Sequence, residues 1–337
     1  MNPFTFTQPR DLDGALAALA AGARPVAGGT NLLDLMKEGV MAPPGLVDIN
    51  GLGLDAIESS AEGGLRLGAL ARNADTAYHP LVRRRYPLLS AAILAGASPQ
   101  LRNMASDGGN LMQRTRCVYF YDVGTPCNKR EPGSGCPARE GLNRQHAILG
   151  ASEHCIATHP SDMCVALRAL DATVHVRSQR GTRSIAFADF HRLPGDRPEL
   201  DNTLGPGELI THLTLPDADR FADHAAYLKV RDRLSYAFAL VSVAAALDLA
   251  PGRRVRAARI ALGGVAHKPW RVEEAEAALE GKEAGEDAFG AAADLILRGA
   301  RGHGQNDFKI PLARSAIVQA LARAARGTAP EPEGEAQ

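Results

Sequence analysis

The sequence predicts an α+β fold in two parts, and three features predict it. Residues 4–50 alternate between short strand-like runs and amphipathic helical runs, each helix closed by a glycine, which is the pattern of a small α/β unit. From about residue 222 the chain changes to long strand-like runs followed by helical segments, the pattern of an α+β domain with an antiparallel sheet. Between them the Pro/Gly/Asp-rich stretch HRLPGDRPELDNTLGPGEL reads as irregular connection, so the boundary falls near residue 220.

Taken in order, FTFT predicts a strand, 11–21 a helix closed by Gly22, RPVAG a short strand, 30–38 a helix closed by Gly39, and GLVDIN a third strand. AIESSAEGGLRLGAL reads as a hairpin turning at Gly63 and Gly64. Helical segments follow over 72–96. Residues 161–170 form a helix with Ser161 as N-cap and Met163, Ala166, Leu167 and Leu170 at helical spacing. ATVHVRS and RSIAF are strands. Beyond the boundary, AAYLKVR, SYAFALVSVAAALDL and RAARIALGGVA are strands, and 269–280, 286–298 and 311–326 are helices. The Pro/Glu/Gly-rich residues 328–337 read as a disordered tail.

The chain has 337 residues, 45% of them hydrophobic, enough for a sizeable core. Lys+Arg and Asp+Glu are equal at 38 each, so charge gives no reason to expect nucleic acid or an anionic membrane as a partner. No run approaches the roughly 20 apolar residues of a membrane helix, and the N-terminus lacks the basic-then-apolar pattern of a secretory signal.

Two glycine motifs compete for a nucleotide. Gly51, Gly53 and Ala56 match G-x-G-x-x-A after a strand, but a hairpin follows where a dinucleotide turn must open a helix. In RPVAGGTNLLDLM a strand ends at Ala27, Gly28 and Gly29 and a helix opens at Thr30. There the free first-turn amides and the helix dipole can hold phosphate oxygens, with Thr30 and Asn31 as further donors. The competing reading is a tight turn capped by Thr30. A second polar glycine loop, ASDGGN at 105–110, offers the same chemistry.

Five cysteines are too few and too local for a disulfide scaffold. Cys164 lies within the 161–170 helix as a small core residue. Cys117, Cys127, Cys136 and Cys155 are separated by nine, eight and eighteen residues, none of them the short C-x-x-C gap of zinc fingers or bacterial ferredoxins. Glycines and prolines around Cys127 and Cys136 allow turns that present amides to sulfur, and Arg116, Lys129 and Arg130 can offset thiolate charge. A forty-residue segment without regular structure points to a bound metal. Zinc and an iron–sulfur cluster fit these residues equally.

The pair RPVAGGTNLL and GASPQLRNMASDGGNL resembles the two FAD loops of the medium, flavin-binding subunit of the xanthine dehydrogenase and molybdenum hydroxylase family. KVRDRLSYAFALVSVAAAL and RIALGGVAHKPWR are similar to that family's C-terminal domain. RTRCVYFYD, PCNKREPGSGC, NRQHAILG and CIATHPSDM resemble the members that carry an additional [4Fe-4S] cluster, the flavin subunit of periplasmic aldehyde oxidoreductase first and that of 4-hydroxybenzoyl-CoA reductase second.

The resemblance implies an FAD-binding domain of the vanillyl-alcohol oxidase type over 1–220, built of two α/β subdomains, with a cysteine-rich insertion at about 112–156 and a smaller α+β domain over 221–327. It implies that Pro25, Val26, Ala27, Gly28, Gly29, Thr30, Asn31 and Leu32 wrap the FAD diphosphate. Asp107, Gly108, Gly109 and Asn110 would form the second loop, Asp107 through its backbone or against another part of FAD. Asp162 would contact the cofactor, and Lys229 would lie near the flavin, unless it is a surface lysine beside Arg231 and Arg233. Tyr236 either stacks near the ring or fills the core. Cys117, Cys127, Cys136 and Cys155 would hold the [4Fe-4S] cluster.

The resemblance also implies an electron-transfer role with no catalytic residue in this chain. Aldehyde would be oxidised at a molybdenum cofactor in a large partner subunit, and electrons would pass through [2Fe-2S] clusters in a small one to this chain's FAD and on to an external acceptor. The assembly would be a heterotrimer, periplasmic by export on a partner's signal, or alternatively cytoplasmic. A free-standing flavin oxidase and a zinc-braced scaffold are the competing functions.

Overall fold

The computed structural model describes residues 1–234 and 236–329. Among the described residues eleven strands form three sheets: β1 (Thr5–Thr7), β2 (Arg24–Val26), β3 (Gly45–Asp48), β4 (Ile57–Ser59), β5 (Leu65–Gly68), β6 (Thr173–Ser178), β7 (Gly181–Ala186), β8 (Leu209–Leu215), β9 (Ala225–Val230), β10 (Val241–Ala250) and β11 (Arg254–Gly263). The first fifty residues build a parallel sheet of order β1-β3-β2, connected by the helices Leu12–Ala20 and Leu32–Lys37. Asp11 caps the first of these by accepting from Gly14 N.

The second sheet, β4-β5-β8-β6-β7, is antiparallel throughout. Its central strand β8 starts at Leu209, where the stretch that sequence patterning assigns to irregular connection ends, and it is not among the strands predicted above. The alternation in LITHLTL is clear once the preceding prolines and glycines are set aside, and Leu213 and Leu215 are fully buried in it.

The third sheet, β11-β10-β9, is antiparallel, and its middle strand has core on both faces. Val243, Ala245 and Leu247 pack with the helices Glu286–Ile296 and Lys309–Arg326, while Ala244 and Ala246 face the helices Pro87–Ala95 and Asp162–Ala169. Covering both faces removes the polar half of the usual period-two pattern. The alanines on the inner face let the helices approach closely, so the two parts share a continuous core. The strand begins at Val241, later than its apolar run suggests, and Ser235 lies outside the described residues.

Residues 112–156 dock against this third sheet: the amides of Ile148 and Leu149 donate to Val265 O, and both side chains enter its core. The segment has two short helical turns, Val118–Tyr121 and Pro137–Arg139. At the C-terminus Thr328 donates to Asp223 O at 2.8 Å; residues 330–337, the rest of the expected tail, lie outside the described residues. Among the described residues no helix is long and apolar enough to cross a membrane.

Candidate functional site

The two glycine turns meet. A Cβ placed on Gly28 would lie 1.8 Å from Met104 O and 3.2 Å from Ala105 N, so only glycine permits this backbone contact. Leu33 N donates to Gly29 O, whereas the amides of Gly28, Gly29, Thr30, Asn31 and Leu32 have no protein acceptor among the described residues. The helix starts at Leu32, with Asn31 at the cap position but no side-chain capping bond. Instead Asn31 Oδ1 accepts from Arg114 N at 2.9 Å, tying this turn to the cysteine segment.

The second loop is itself a helical turn, Asp107–Leu111, capped by Ser106 accepting from Gly109 N. Asp107 is fully buried, and its carboxylate accepts from Asn73 Nδ2 at 2.7 Å and Thr76 Oγ1 at 2.6 Å. Burial raises its pKa to about 7. The side chain is therefore turned into the protein, and the backbone N–H is taken as well, donating to Ala71 O at 2.9 Å. Asn110 links this loop to the next helix: its Oδ1 accepts from Ser161 Oγ at 2.5 Å, and Ser161 Oγ in turn caps Cys164 N. Gly51 and Gly53 lie at a short 3₁₀ turn that leads into β4, so no helix opens there.

Beyond these loops lies a cavity of about 330 Å³ between the two parts of the molecule. Its walls include Asp162 and Ser161 from one helix start, Arg116 and Cys117 from the cysteine segment, and Phe238 and Gly264 from the C-terminal part. Asp162 is held from two sides. Lys229 Nζ sits 2.7 Å from Oδ2, and Tyr227 donates to Oδ1 at 2.7 Å. With its side chain 4% exposed, Lys229 is no surface lysine, and it reaches the cavity through Asp162. Tyr227 was not predicted as part of the site; its hydroxyl is visible only once β9 is laid beside the Asp162 helix. Tyr236 is exposed, with φ at 50°, and neither fills the core nor lines the cavity. Phe238 takes the wall position, with the Arg116 guanidinium 5.1 Å from its ring centre.

Cys117, Cys127, Cys136 and Cys155 all line a second, small cavity, together with Lys129 and His146. Asn128 organises this segment: its Oδ1 accepts from Gly133 N and Gly135 N, and its Nδ2 donates to His154 O. Arg130 caps the Tyr119 and Phe120 carbonyls and does not face the thiols. Lys129 does face them, buried and paired with Asp201 at 2.5 Å. Burial raises the Cys117 thiol to about 12 and Cys155 to about 11, against smaller opposing effects from backbone amides and, for Cys155, from Lys129. Thiols buried this way give up their protons when a metal supplies the missing positive charge.

A single tetrahedral zinc, with Zn–S near 2.3 Å, would draw four sulfurs to about 3.8 Å of one another. Among the described residues, the three ligand side chains that close to within 4.8 Å are His159, Cys164 and His191, not the four thiols. In that trio one ring nitrogen of each histidine is bonded within the protein, while His159 Nε2 and His191 Nδ1 are buried with no partner among the described residues. His159 Nδ1 accepts from Ser161 N, His191 Nε2 donates to Leu111 O, and burial keeps the Cys164 thiol protonated by raising it to about 12. Cys164 is a core residue with 0% exposure.

Two cavities thus share a wall at Thr115, Cys117 and His146: the inter-domain cavity, which no residue of 25–32 or 107–110 lines, and the four-thiol cavity. Residues 2–218 match the family described as the FAD binding domain in molybdopterin dehydrogenase, and residues 225–324 match the CO dehydrogenase flavoprotein C-terminal domain. The chain belongs to this family, the FAD-binding subunits of the molybdenum hydroxylases. It is 54% identical over 324 residues to the aldehyde oxidoreductase FAD-binding subunit PaoB of Escherichia coli K12, covering 95% of this chain and 98% of the relative. The glyceraldehyde dehydrogenase medium chain of Sulfolobus acidocaldarius is 30% identical over 287 residues, 84% of this chain and 83% of that one. The structure of quinoline 2-oxidoreductase from Pseudomonas putida 86 aligns with a TM-score of 0.73 and 27% identity, over 96% of this chain and 98% of that chain.

Proposed function

We propose that the chain is the FAD and [4Fe-4S] electron-transfer subunit of a molybdenum-dependent aldehyde oxidoreductase, which oxidises aldehydes to carboxylic acids. The observation that carries this reading is the four-thiol cavity directly behind the inter-domain cavity, in a chain that matches an aldehyde oxidoreductase flavin subunit along nearly its whole length. Substrate oxidation then belongs to a large molybdenum-cofactor subunit, and a small [2Fe-2S] subunit feeds this chain, in a periplasmic heterotrimer exported on a partner's signal. An external acceptor takes the electrons. The FAD-binding part spans 1–220 with the cysteine insertion at about 112–156, and the C-terminal part spans 221–327.

Pro25, Val26, Ala27, Gly28, Gly29, Thr30, Asn31 and Leu32 wrap the diphosphate, with the unpaired amides of Gly28, Gly29, Thr30, Asn31 and Leu32 as its donors. Gly108, Gly109, Asn110 and the backbone of Asp107 close over it from the other side. Asp162 presents a carboxylate to the cavity, and Lys229 with Tyr227 fixes that carboxylate and balances its charge. FAD, when bound, supplies one-electron exchange with iron–sulfur centres and two-electron exchange with an acceptor. Cys117, Cys127, Cys136 and Cys155 hold the cluster; no three of their sulfurs lie within 4.8 Å of one another, wider than the roughly 3.8 Å a single tetrahedral zinc imposes.

Co-expression with candidate partner genes tests the assignment. The tagged chain is expected to purify with a molybdenum-containing large subunit, to show flavin bands with a broad iron–sulfur shoulder, and to accept electrons when aldehyde is added. A chain that purifies alone, with flavin and its own substrate turnover, would contradict it.

A further inference from the structure

His146 belongs to both cavities: it lines the inter-domain cavity and the four-thiol cavity. Its Nε2 lies 3.1 Å from Cys117 Sγ, a hydrogen-bond distance for a sulfur acceptor. The other ring nitrogen, Nδ1, is buried with no hydrogen-bond partner among the described residues. A neutral imidazole carries one N–H, and a metal-bound thiolate can only accept, so the proton sits on Nε2 and points at sulfur.

The ring is held in place by the C-terminal part of the molecule. Lys309, fully buried at the start of its helix, donates to the His146 carbonyl at 2.8 Å and to Gly264 O at 2.5 Å. Asn306 Nδ2 donates to the same His146 carbonyl and to Ala147 O. Two buried side chains from a distant stretch of sequence thus fix the backbone of one histidine.

We propose that His146 is a positioning residue that tunes the iron–sulfur centre from the flavin side, by donating its Nε2–H to the Cys117 sulfur. The inference rests on the cluster reading above. A hydrogen bond to a ligand sulfur withdraws negative charge, which favours the reduced, more negative cluster and raises its potential. Because the same ring walls the flavin cavity, the bond sets the one-electron equilibrium between the two centres without changing the ligand set. Of the four thiols, Cys117 is also the one that lines both cavities.

The test is an anaerobic redox titration of the assembled complex, followed by electron paramagnetic resonance, on wild type, His146→Leu and His146→Gln. Iron and flavin are quantified in each. The expected result is unchanged iron in all three, a cluster potential lowered in His146→Leu by the equivalent of about tenfold in the one-electron equilibrium, near 59 mV, and recovery in His146→Gln, which keeps an N–H donor. Equal potentials with full iron in all three would overturn the inference while leaving the cluster reading intact. A wild type with no iron beyond the partner subunits' [2Fe-2S] share would overturn both. Should the leucine variant lose its cluster, wild type labelled with ¹⁵N-histidine decides alone. Electron spin-echo modulation of the reduced cluster is expected to show one weakly coupled imidazole nitrogen, and its absence would overturn the inference.

Discussion

The glycine turns and the cysteine segment are both irregular backbone, and they are held in opposite ways. The turns are built from main chain: Gly28 rests on the Met104 carbonyl, a helix of six residues follows, and the amides before it have no protein acceptor. The cysteine segment is built from side chains. Asn128 gathers three backbone groups, Arg130 caps a short helix, and Lys129 with Asp201 anchors the interior. A site made of backbone leaves a short local motif in the sequence. A site made of side-chain bonds across 5 to 163 residues leaves only a composition.

That contrast can be broken at four points. The largest effect is expected from Cys117→Ser, which removes one of the four proposed cluster ligands: most of the iron beyond the partners' share should be lost, measured as iron per chain and as the absorption shoulder, while flavin is retained. Full iron in this variant would show that Cys117 is not a ligand. Lys229→Met should come next, because it leaves the buried Asp162 carboxylate without its charge partner at a cost of roughly 3–5 kcal/mol. A lowered melting temperature and a reduced flavin content are expected; an unchanged Tm would mean the pair contributes nothing.

Gly28→Ala should cost roughly 1–3 kcal/mol, since the new methyl collides with backbone that cannot rotate away. Its signature is flavin loss with iron retained, the reverse of Cys117→Ser. If both variants lose both cofactors, the two regions are not independent.

The smallest effect concerns Asp107. Its carboxyl titrates near 7 in the folded protein against 3.8 unfolded, so the native state binds more protons between these values. Stability is then fully present below about pH 4 and falls as pH rises to about 7, at no more than about 1.4 kcal/mol per pH unit. Asp107→Asn should flatten that decline in melting temperature across pH 4–7. An identical slope in both proteins would contradict the inward-facing carboxyl.

Much of the fold is legible because it rests on local period. The N-terminal β-α-β-α-β alternation, the hairpin of β4 and β5, and the Ser161-capped helix with Cys164 in the core all follow from spacing. Strand β8 is hidden by the glycines and prolines before it, although its own alternation is regular. Helix positions in the last third are recognisable, but Glu273–Ala277 is shorter than its helical composition implies, because Trp270 pairs back onto Leu262.

The candidate site divides the same way. The glycine turns and the four cysteines can be read from the sequence; that the turns touch, and that the thiols share a cavity with His146, cannot. Tyr227, Phe238 and His146 carry no motif. Each becomes part of the site through a partner more than 25 residues away in the chain. Lys229 and Asp162 could be named separately, but their pairing depends on β9 lying beside a helix 65 residues earlier.

Metal and flavin stoichiometry of the anaerobically purified complex tests the central claim most directly, that one chain holds FAD beside a four-cysteine iron–sulfur cluster. After correction for the partner subunits' [2Fe-2S] iron, the account predicts one FAD and about four irons for each copy of this chain, with no stoichiometric zinc. One zinc per chain, or flavin with no iron beyond the partners' share, would contradict it.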